Sequence, residues 1–151
     1  LAARVTAFAL LLAALLLEIL PLGAVLIFAP SPEERVRRTF SFFSLTPVGY
    51  ANPFPMMAGV ATVAVTLLVA VGLLINAHNP PLKTAAFIGT LLACVFTVLP
   101  AVFHGAERLN LAGIFIFLLL LASAFFQAAA NRNPRQTARQ NGPADGLQDR
   151  P

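Results

Sequence analysis

Four long apolar segments, separated by polar or proline-containing stretches, dominate the pattern of hydrophobic and polar positions along this chain. They cover residues 5–28, 57–76, 85–103 and 109–130. A helix that crosses a bilayer needs about 20 predominantly apolar residues at ~1.5 Å rise per residue, and each segment is close to that length. Two of the three connections are short, which makes consecutive helices antiparallel neighbours. We therefore predict an all-α, membrane-embedded, up-down four-helix bundle.

The first connection, residues 30–55, is long and rich in proline and aromatic residues. It opens with SPEER, where Ser31 is suited to cap a helix, Pro32 to its first position and Glu34 to complete a capping box. This pattern predicts a short interfacial helix that ends near Arg38. The aromatic side chains that follow are typical of the headgroup level of a membrane, or of a surface that docks a partner. These interface-loop candidates are Phe40, Phe42, Phe43, Tyr50 and Phe54.

Composition agrees with the membrane class and restricts the chemistry. The chain is 58% hydrophobic and 11% charged, whereas soluble domains average about 25% charged residues. From residue 131 onward it turns polar and basic, which predicts a disordered tail over residues 131–151. The single cysteine, Cys94, excludes an internal disulfide. With two histidines far apart in sequence, we expect neither a metal site nor a cofactor.

Glu18 is the one acidic residue within the apolar segments. An ionised carboxylate in hydrocarbon costs at least ~2.5 kcal/mol, so this group must be protonated, paired or turned inward. Three interpretations compete. Glu18 is a neutral acid that holds helices together through a hydroxyl or carbonyl, a site that binds a proton or cation in exchange with a substrate, or the partner of a basic group on another subunit.

Helical spacing places Ala7, Leu11, Ala14 and Glu18 on one stripe of the first segment. The next two segments carry stripes of small and hydroxyl-bearing residues, the kind that allows close helix contact in lipid. These residues are Gly59, Thr62, Thr66 and Ala70 on the second segment, and Thr90, Cys94, Thr97 and Ala101 on the third. Counting from the membrane ends puts Thr66, Cys94 and Thr97 at the depth of Glu18, where we expect the two threonines to support a proton or cation site.

Prolines predict where the helices bend. Pro21 and Gly23 follow Glu18 within about one turn, and a proline removes a backbone hydrogen bond from a helix interior. We therefore predict a kink at Pro21 and Gly23, and a second one at Pro100 near the end of the third segment.

Basic residues near the helix ends give a small orientation bias. Five on the side of the termini face four on the other side, which favours both termini in the cytoplasm. Those five are Arg4, Lys83, Arg132, Arg135 and Arg139, and the four are Arg35, Arg37, Arg38 and Arg108. The first apolar segment is too long for a cleaved signal peptide, so we expect it to stay as a spanning helix. Since the sequence starts at Leu1, we expect a few residues to precede it.

A membrane-embedded glutamate in the first of four short helices resembles the small multidrug resistance exporters, and the run FHGAERLNLAGI resembles the turn before their last helix. That resemblance implies a glutamate, here Glu18, that binds protons and cationic drugs in turn within a dimer. The stretches LLEILPLGAVLIF and RRTFSFFSLTPVGYANPFP are similar to small four-helix bacterial membrane proteins of unassigned activity. The second resemblance implies a bacterial inner membrane and brings no activity with it.

No nucleophile elbow, phosphate loop or HExxH motif is present, so we expect no enzyme activity. The leading hypothesis is a non-enzymatic accessory or scaffold protein that presents its aromatic first loop. The alternative is a small proton-coupled transporter that works as an oligomer through Glu18. The expected partners are the lipid bilayer and a second copy or another membrane protein, and nucleic acid is not expected.

Overall fold

The computed structural model describes residues 1–31, 34–44, 53–75 and 79–140, with side chains for all of these except residues 29–35 and 132–140. Within these parts the chain forms four α-helices and one antiparallel pair of strands. In chain order the elements are α1 (Ala2–Ile19), β1 (Ala24–Ser31), β2 (Glu34–Phe40), α2 (Pro53–Leu74), α3 (Pro80–His104), a 3-10 turn (Ala106–Arg108) and α4 (Leu111–Gln140). The predicted all-α class with four helices is confirmed.

The helices form a closed ring in which each one packs against the next in sequence and α4 packs against α1. Arg4, Leu73, Lys83 and Asn131 line one groove. The start of α1 therefore meets the end of α2, the start of α3 and the later part of α4 at one end of the bundle. Consecutive helices run antiparallel, as the short connections predicted.

All four helices are long and apolar enough to cross a membrane. In the most apolar part of each helix, only 22% to 33% of the residues are buried inside the protein. Most apolar side chains therefore lie on the outside of the bundle.

The first helix is shorter than predicted. It ends at Ile19 rather than at residue 28, and Leu20 already has an extended backbone with φ −68° and ψ 145°. The ring of Pro21 disfavours helical geometry in the residue before it, which explains this end. Pro21 and Gly23 thus lie beyond α1, and the predicted kink there is wrong. Pro100, in contrast, lies inside α3.

A β-hairpin replaces the predicted end of the first helix and the predicted interfacial helix. Strand β1 pairs with β2 from Ala24 opposite Phe40 to Phe28 opposite Val36, with an irregularity before Ser31 pairs with Glu34. The residues AVLIF and VRRTF are rich in β-branched and aromatic side chains, which fit a strand at least as well as a helix. β1 starts buried against the bundle, whereas Arg37, Arg38 and Thr39 of β2 are exposed.

The fourth helix is longer than predicted. It continues past residue 130 to Gln140, through a segment assigned from composition to a disordered tail. That segment contains Arg, Gln and Ala, which are good helix formers even without an apolar face. The rest of the predicted tail, residues 141–151, lies outside the described residues.

Candidate functional site

The predicted stripe of the first helix forms its buried face. The buried residues of α1 are Ala7, Leu11, Ala14 and Glu18, and each of them has 0% of its surface exposed. The small side chains of Ala7 and Ala14 allow α2 and α4 to approach closely. The spacing of this stripe therefore carries the carboxyl group of Glu18 into the centre of the bundle.

Glu18 is held by Thr62 of α2. The two oxygens, Thr62 Oγ1 and Glu18 Oε1, lie 2.9 Å apart, and Thr62 lies near the middle of α2. At the end of α1, the main-chain N–H of Phe42 donates to the carbonyl oxygen of Glu18 at 2.9 Å. Both the side chain and the backbone of Glu18 are thus tied to other elements.

The hydroxyl group of Thr62 has two acceptors within hydrogen-bond distance. Thr62 Oγ1 lies 2.9 Å from Glu18 Oε1 and 3.0 Å from the carbonyl oxygen of Ala58, but a threonine hydroxyl has a single hydrogen to donate. Its hydrogen is therefore shared between two acceptors, Glu18 Oε1 and the carbonyl oxygen of Ala58. The other carboxyl oxygen, Glu18 Oε2, is buried and has no hydrogen-bond partner among the described residues.

Thr66 and Thr97, predicted to support Glu18, use their hydroxyl hydrogens within their own helices. Thr66 donates to the carbonyl oxygen of Thr62 at 2.7 Å, and Thr97 donates to that of Ala93 at 2.8 Å. Both side chains are buried. The contact with Glu18 comes instead from Thr62, one turn before Thr66 on the predicted stripe. The depth was misjudged because the first helix was predicted to extend to residue 28.

A second buried polar cluster joins the other helices, and the sequence reasoning missed it. Gln127 Nε2 donates to Thr90 Oγ1 at 2.8 Å and to Ser123 Oγ at 3.2 Å. Ser123 in turn donates to the carbonyl oxygen of Ala7 at 3.0 Å. This cluster connects α4 with α3 and α1, while the Glu18–Thr62 contact connects α1 with α2. The sequence signal for this cluster was the spacing of Ser123, Gln127 and Asn131, three polar residues four positions apart on α4.

The aromatic residues of the first connection pack onto the bundle. Phe42 is 3% exposed, and its ring lies so close to Gly23 that a Cβ there would be 2.6 Å from Phe42 Cε1. Phe43 covers Gly59 in the same way. Phe54 stacks on Phe103 of α3 with ring centroids 5.7 Å apart.

Phe40 is half-buried and meets Phe28 edge to face across the hairpin, with ring centroids 6.3 Å apart. Tyr50 lies outside the described residues. Of the five interface-loop candidates, the four that are described therefore contact the protein itself, and buried Phe42 belongs to the core rather than to an exposed aromatic surface.

The hairpin end of the bundle contains a cavity of about 170 Å³. Its wall combines apolar side chains of β1 and α2 with Thr97, Pro100 and Arg108. Arg108 Nε is buried without a hydrogen-bond partner among the described residues. Ser44 and Pro53, which also line it, flank residues 45–52, and those lie outside the described part of the chain.

In the described part of the chain, no three His, Cys, Asp or Glu side chains lie close enough together to hold a metal ion. Cys94 is a buried free thiol. Comparisons with protein families, curated proteins and solved structures found no match for this chain.

Proposed function

We propose that this chain is a non-enzymatic, multi-pass membrane protein that serves as an accessory or scaffold subunit and docks a membrane partner at its hairpin end. The distribution of polar and apolar side chains supports the membrane location. Leu16, Leu67 and Phe125 are each more than 60% exposed, while the polar groups of Glu18 and Thr62 are fully buried. Lipid is the solvent that suits such an apolar exterior.

The hairpin supports the docking role. The β2 side chains Arg37 and Arg38 are exposed, and the structure describes only two acidic side chains, Glu18 and Glu107, neither of which forms an ion pair with them. Because Phe42 anchors the end of the hairpin in the core, these two charges are held in a fixed place. They fit a partner with an acidic segment at the membrane surface.

A pair of charge variants tests the docking role. Under this proposal, crosslinking in intact membranes joins the wild-type protein to a partner at constant stoichiometry. We expect the double variant Arg37→Gln, Arg38→Gln to lose that crosslinked partner. The variant Lys83→Gln removes charge at the other end of the bundle and should keep that partner. Equal crosslinking in all three proteins, or a wild type that stays monomeric, contradicts the proposal. Arginines are better test positions than the aromatic residues, whose loss would also disturb packing.

The second candidate function is proton-coupled transport by an oligomer, and one observation favours it. Glu18 Oε2 is buried without a hydrogen-bond partner among the described residues, so this carboxyl group has capacity left for a proton or a cation. In this reading α1 must separate from α2 to expose Glu18. Thr62 would then be the supporting hydroxyl, with Thr66 one turn further along α2 and Thr97 on α3.

Proteoliposome flux separates the two candidates. Under the transport hypothesis, wild-type protein carries proton-linked flux, and Glu18→Gln, which keeps the shape and removes the titration, abolishes the coupling while the protein still inserts. A wild type without flux, together with a correctly assembled Gln variant, rules out transport and leaves the structural role of Glu18. We further propose a bacterial inner membrane, with both termini in the cytoplasm.

A further inference from the structure

The end of the bundle opposite the hairpin carries a groove that neither proposed function uses. It is lined mainly by apolar side chains of α2 and α3, among them Val69, Leu73 and Leu82, and holds about 50 Å³ of free space. We call it the terminal groove. This volume is enough for a segment of a hydrocarbon chain.

Two cations line the terminal groove, and no acidic side chain in the described part of the chain lines it with them. Arg4 lies near the start of α1 and Lys83 near the start of α3, and both line the groove. Of the two acidic side chains that the structure describes, Glu18 is bound to Thr62 and Glu107 lies in the 3-10 turn at the hairpin end. Among the described side chains, this pair of like charges therefore has no anionic partner.

We propose that the terminal groove binds an anionic phospholipid, with the phosphate between Arg4 and Lys83 and one acyl chain along the apolar wall. A guanidinium and an ammonium that line one groove can both bind the oxygens of a phosphate. Both cations lie at a bundle end, the level at which lipid phosphates lie if the four helices span the bilayer. The inference thus rests on the proposed membrane location, and it is independent of the docking role.

Gln127 is a further polar residue that lines the groove with Arg4 and Lys83. Its side chain is 7% exposed, and Oε1 has no hydrogen-bond partner among the described residues. The two hydrogens of Nε2 are already used by Thr90 and Ser123. Gln127 thus brings one buried, unsatisfied acceptor to the wall of the groove.

A free phosphate ion could bind to the same two cations as the phosphate of a lipid. A substitution at Gly72 distinguishes the free ion from the lipid. A Cβ added at Gly72 would lie 3.6 Å from Leu82 Cδ2, in ordinary contact. The larger side chain of Gly72→Leu would therefore occupy the groove while Arg4 and Lys83 remain. That variant should lose the lipid and keep any binding of a free anion.

Native mass spectrometry of the detergent-solubilised full chain tests the proposal. The probes are phosphatidylglycerol and phosphatidylcholine with identical acyl chains, and inorganic phosphate. We expect wild-type protein to retain phosphatidylglycerol about 30-fold better than phosphatidylcholine, since each of the two basic residues near an anionic surface contributes a preference of about fivefold. The double variant Arg4→Gln, Lys83→Gln should lose this preference, and Arg4→Lys with Lys83→Arg should restore most of it.

The matched control is Arg37→Gln, Arg38→Gln, which removes the same charge at the other end and should keep the preference. Unchanged preference in the Arg4, Lys83 double variant overturns the proposal, as does full retention of phosphatidylglycerol by Gly72→Leu. Inorganic phosphate that displaces the lipid at equal concentration assigns the site to a free anion instead. A chain that stays soluble without detergent would refute the membrane location, whereas absence of lipid preference would leave that location and the docking role intact.

Discussion

Glu18 and Thr62 form a buried pair in which the two partners are not equivalent. Without Glu18, the Thr62 hydroxyl still donates to the carbonyl oxygen of Ala58, which lies 3.0 Å away. Without the Thr62 hydroxyl, the Glu18 carboxyl group is left buried with no hydrogen-bond partner among the described residues. An unsatisfied buried polar group costs about 1–3 kcal/mol, more than the net contribution of a typical hydrogen bond.

This asymmetry gives a prediction at the residue scale. Thr62→Val should lower the free energy of unfolding by about 1–3 kcal/mol in wild-type protein, and by less than about 0.5 kcal/mol when Glu18 has been changed to Leu, because no carboxyl group then remains to be orphaned. Reversible unfolding in one fixed detergent measures all four proteins of the cycle. Thr62→Ser, which keeps the hydroxyl, is the control. An equal cost of Thr62→Val in both backgrounds would contradict this account.

At the scale of elements, two glycines within helices allow the effect of close helix packing on stability to be distinguished from that of helix propensity. A Cβ at Gly89 of α3 would lie 2.5 Å from Cγ2 of Val65, a buried residue of α2. At Gly72 the nearest atom to such a Cβ is 3.6 Å away. Gly89 is therefore a point where α2 and α3 approach each other closely, while Gly72 borders open space.

The same substitution should have opposite effects at the two sites. Gly72→Ala should be neutral or stabilise the protein by up to about 1 kcal/mol, because alanine favours helix over glycine. Gly89→Ala gains the same propensity and still should destabilise the protein by about 1–3 kcal/mol, because Val65 has to move in a packed core. Thermal unfolding in detergent compares the two variants. If both alanine substitutions raise the melting temperature, the contact between Gly89 of α3 and Val65 of α2 is less close than described here.

For the whole molecule, the up-down arrangement separates the hairpin from the chain's first residues. Arg4 and Asn131 share one end of the bundle, while β1 lines the cavity at the other end. If the helices span a bilayer, Ala2 and Arg37 must lie on opposite sides of it. Cys94 is buried, so the wild-type chain gives little background to thiol labelling.

Cysteine labelling with a membrane-impermeant maleimide on intact cells measures this separation. We expect Ala2→Cys and Arg37→Cys to differ, with one labelled before and the other only after the membrane is permeabilised. With the termini in the cytoplasm, Arg37→Cys is the one labelled from outside. Wild-type protein, with Cys94 alone, is the control. Labelling of both variants from the same side would be incompatible with the fold spanning the membrane.

The sequence by itself determined the four helices and the buried face of the first one. Both depend on local patterns: the length of an apolar run, and the recurrence of Ala7, Leu11, Ala14 and Glu18 at helical spacing. Even the end of α1 has a local cause in Pro21, although a proline within an apolar run is also compatible with a kinked helix.

Only the tertiary structure decided the rest. An apolar run such as AVLIF fits a helix or a strand equally well, and its pairing with residues 34–40 is what made it a strand. With α1 ending at Ile19, Glu18 met Thr62 rather than Thr66 or Thr97. Gln127 likewise acquired its role only when Thr90 and Ser123 came within reach. Spacing along one helix predicts which side chains share a face, but the register between two helices is set by contacts that no single segment encodes.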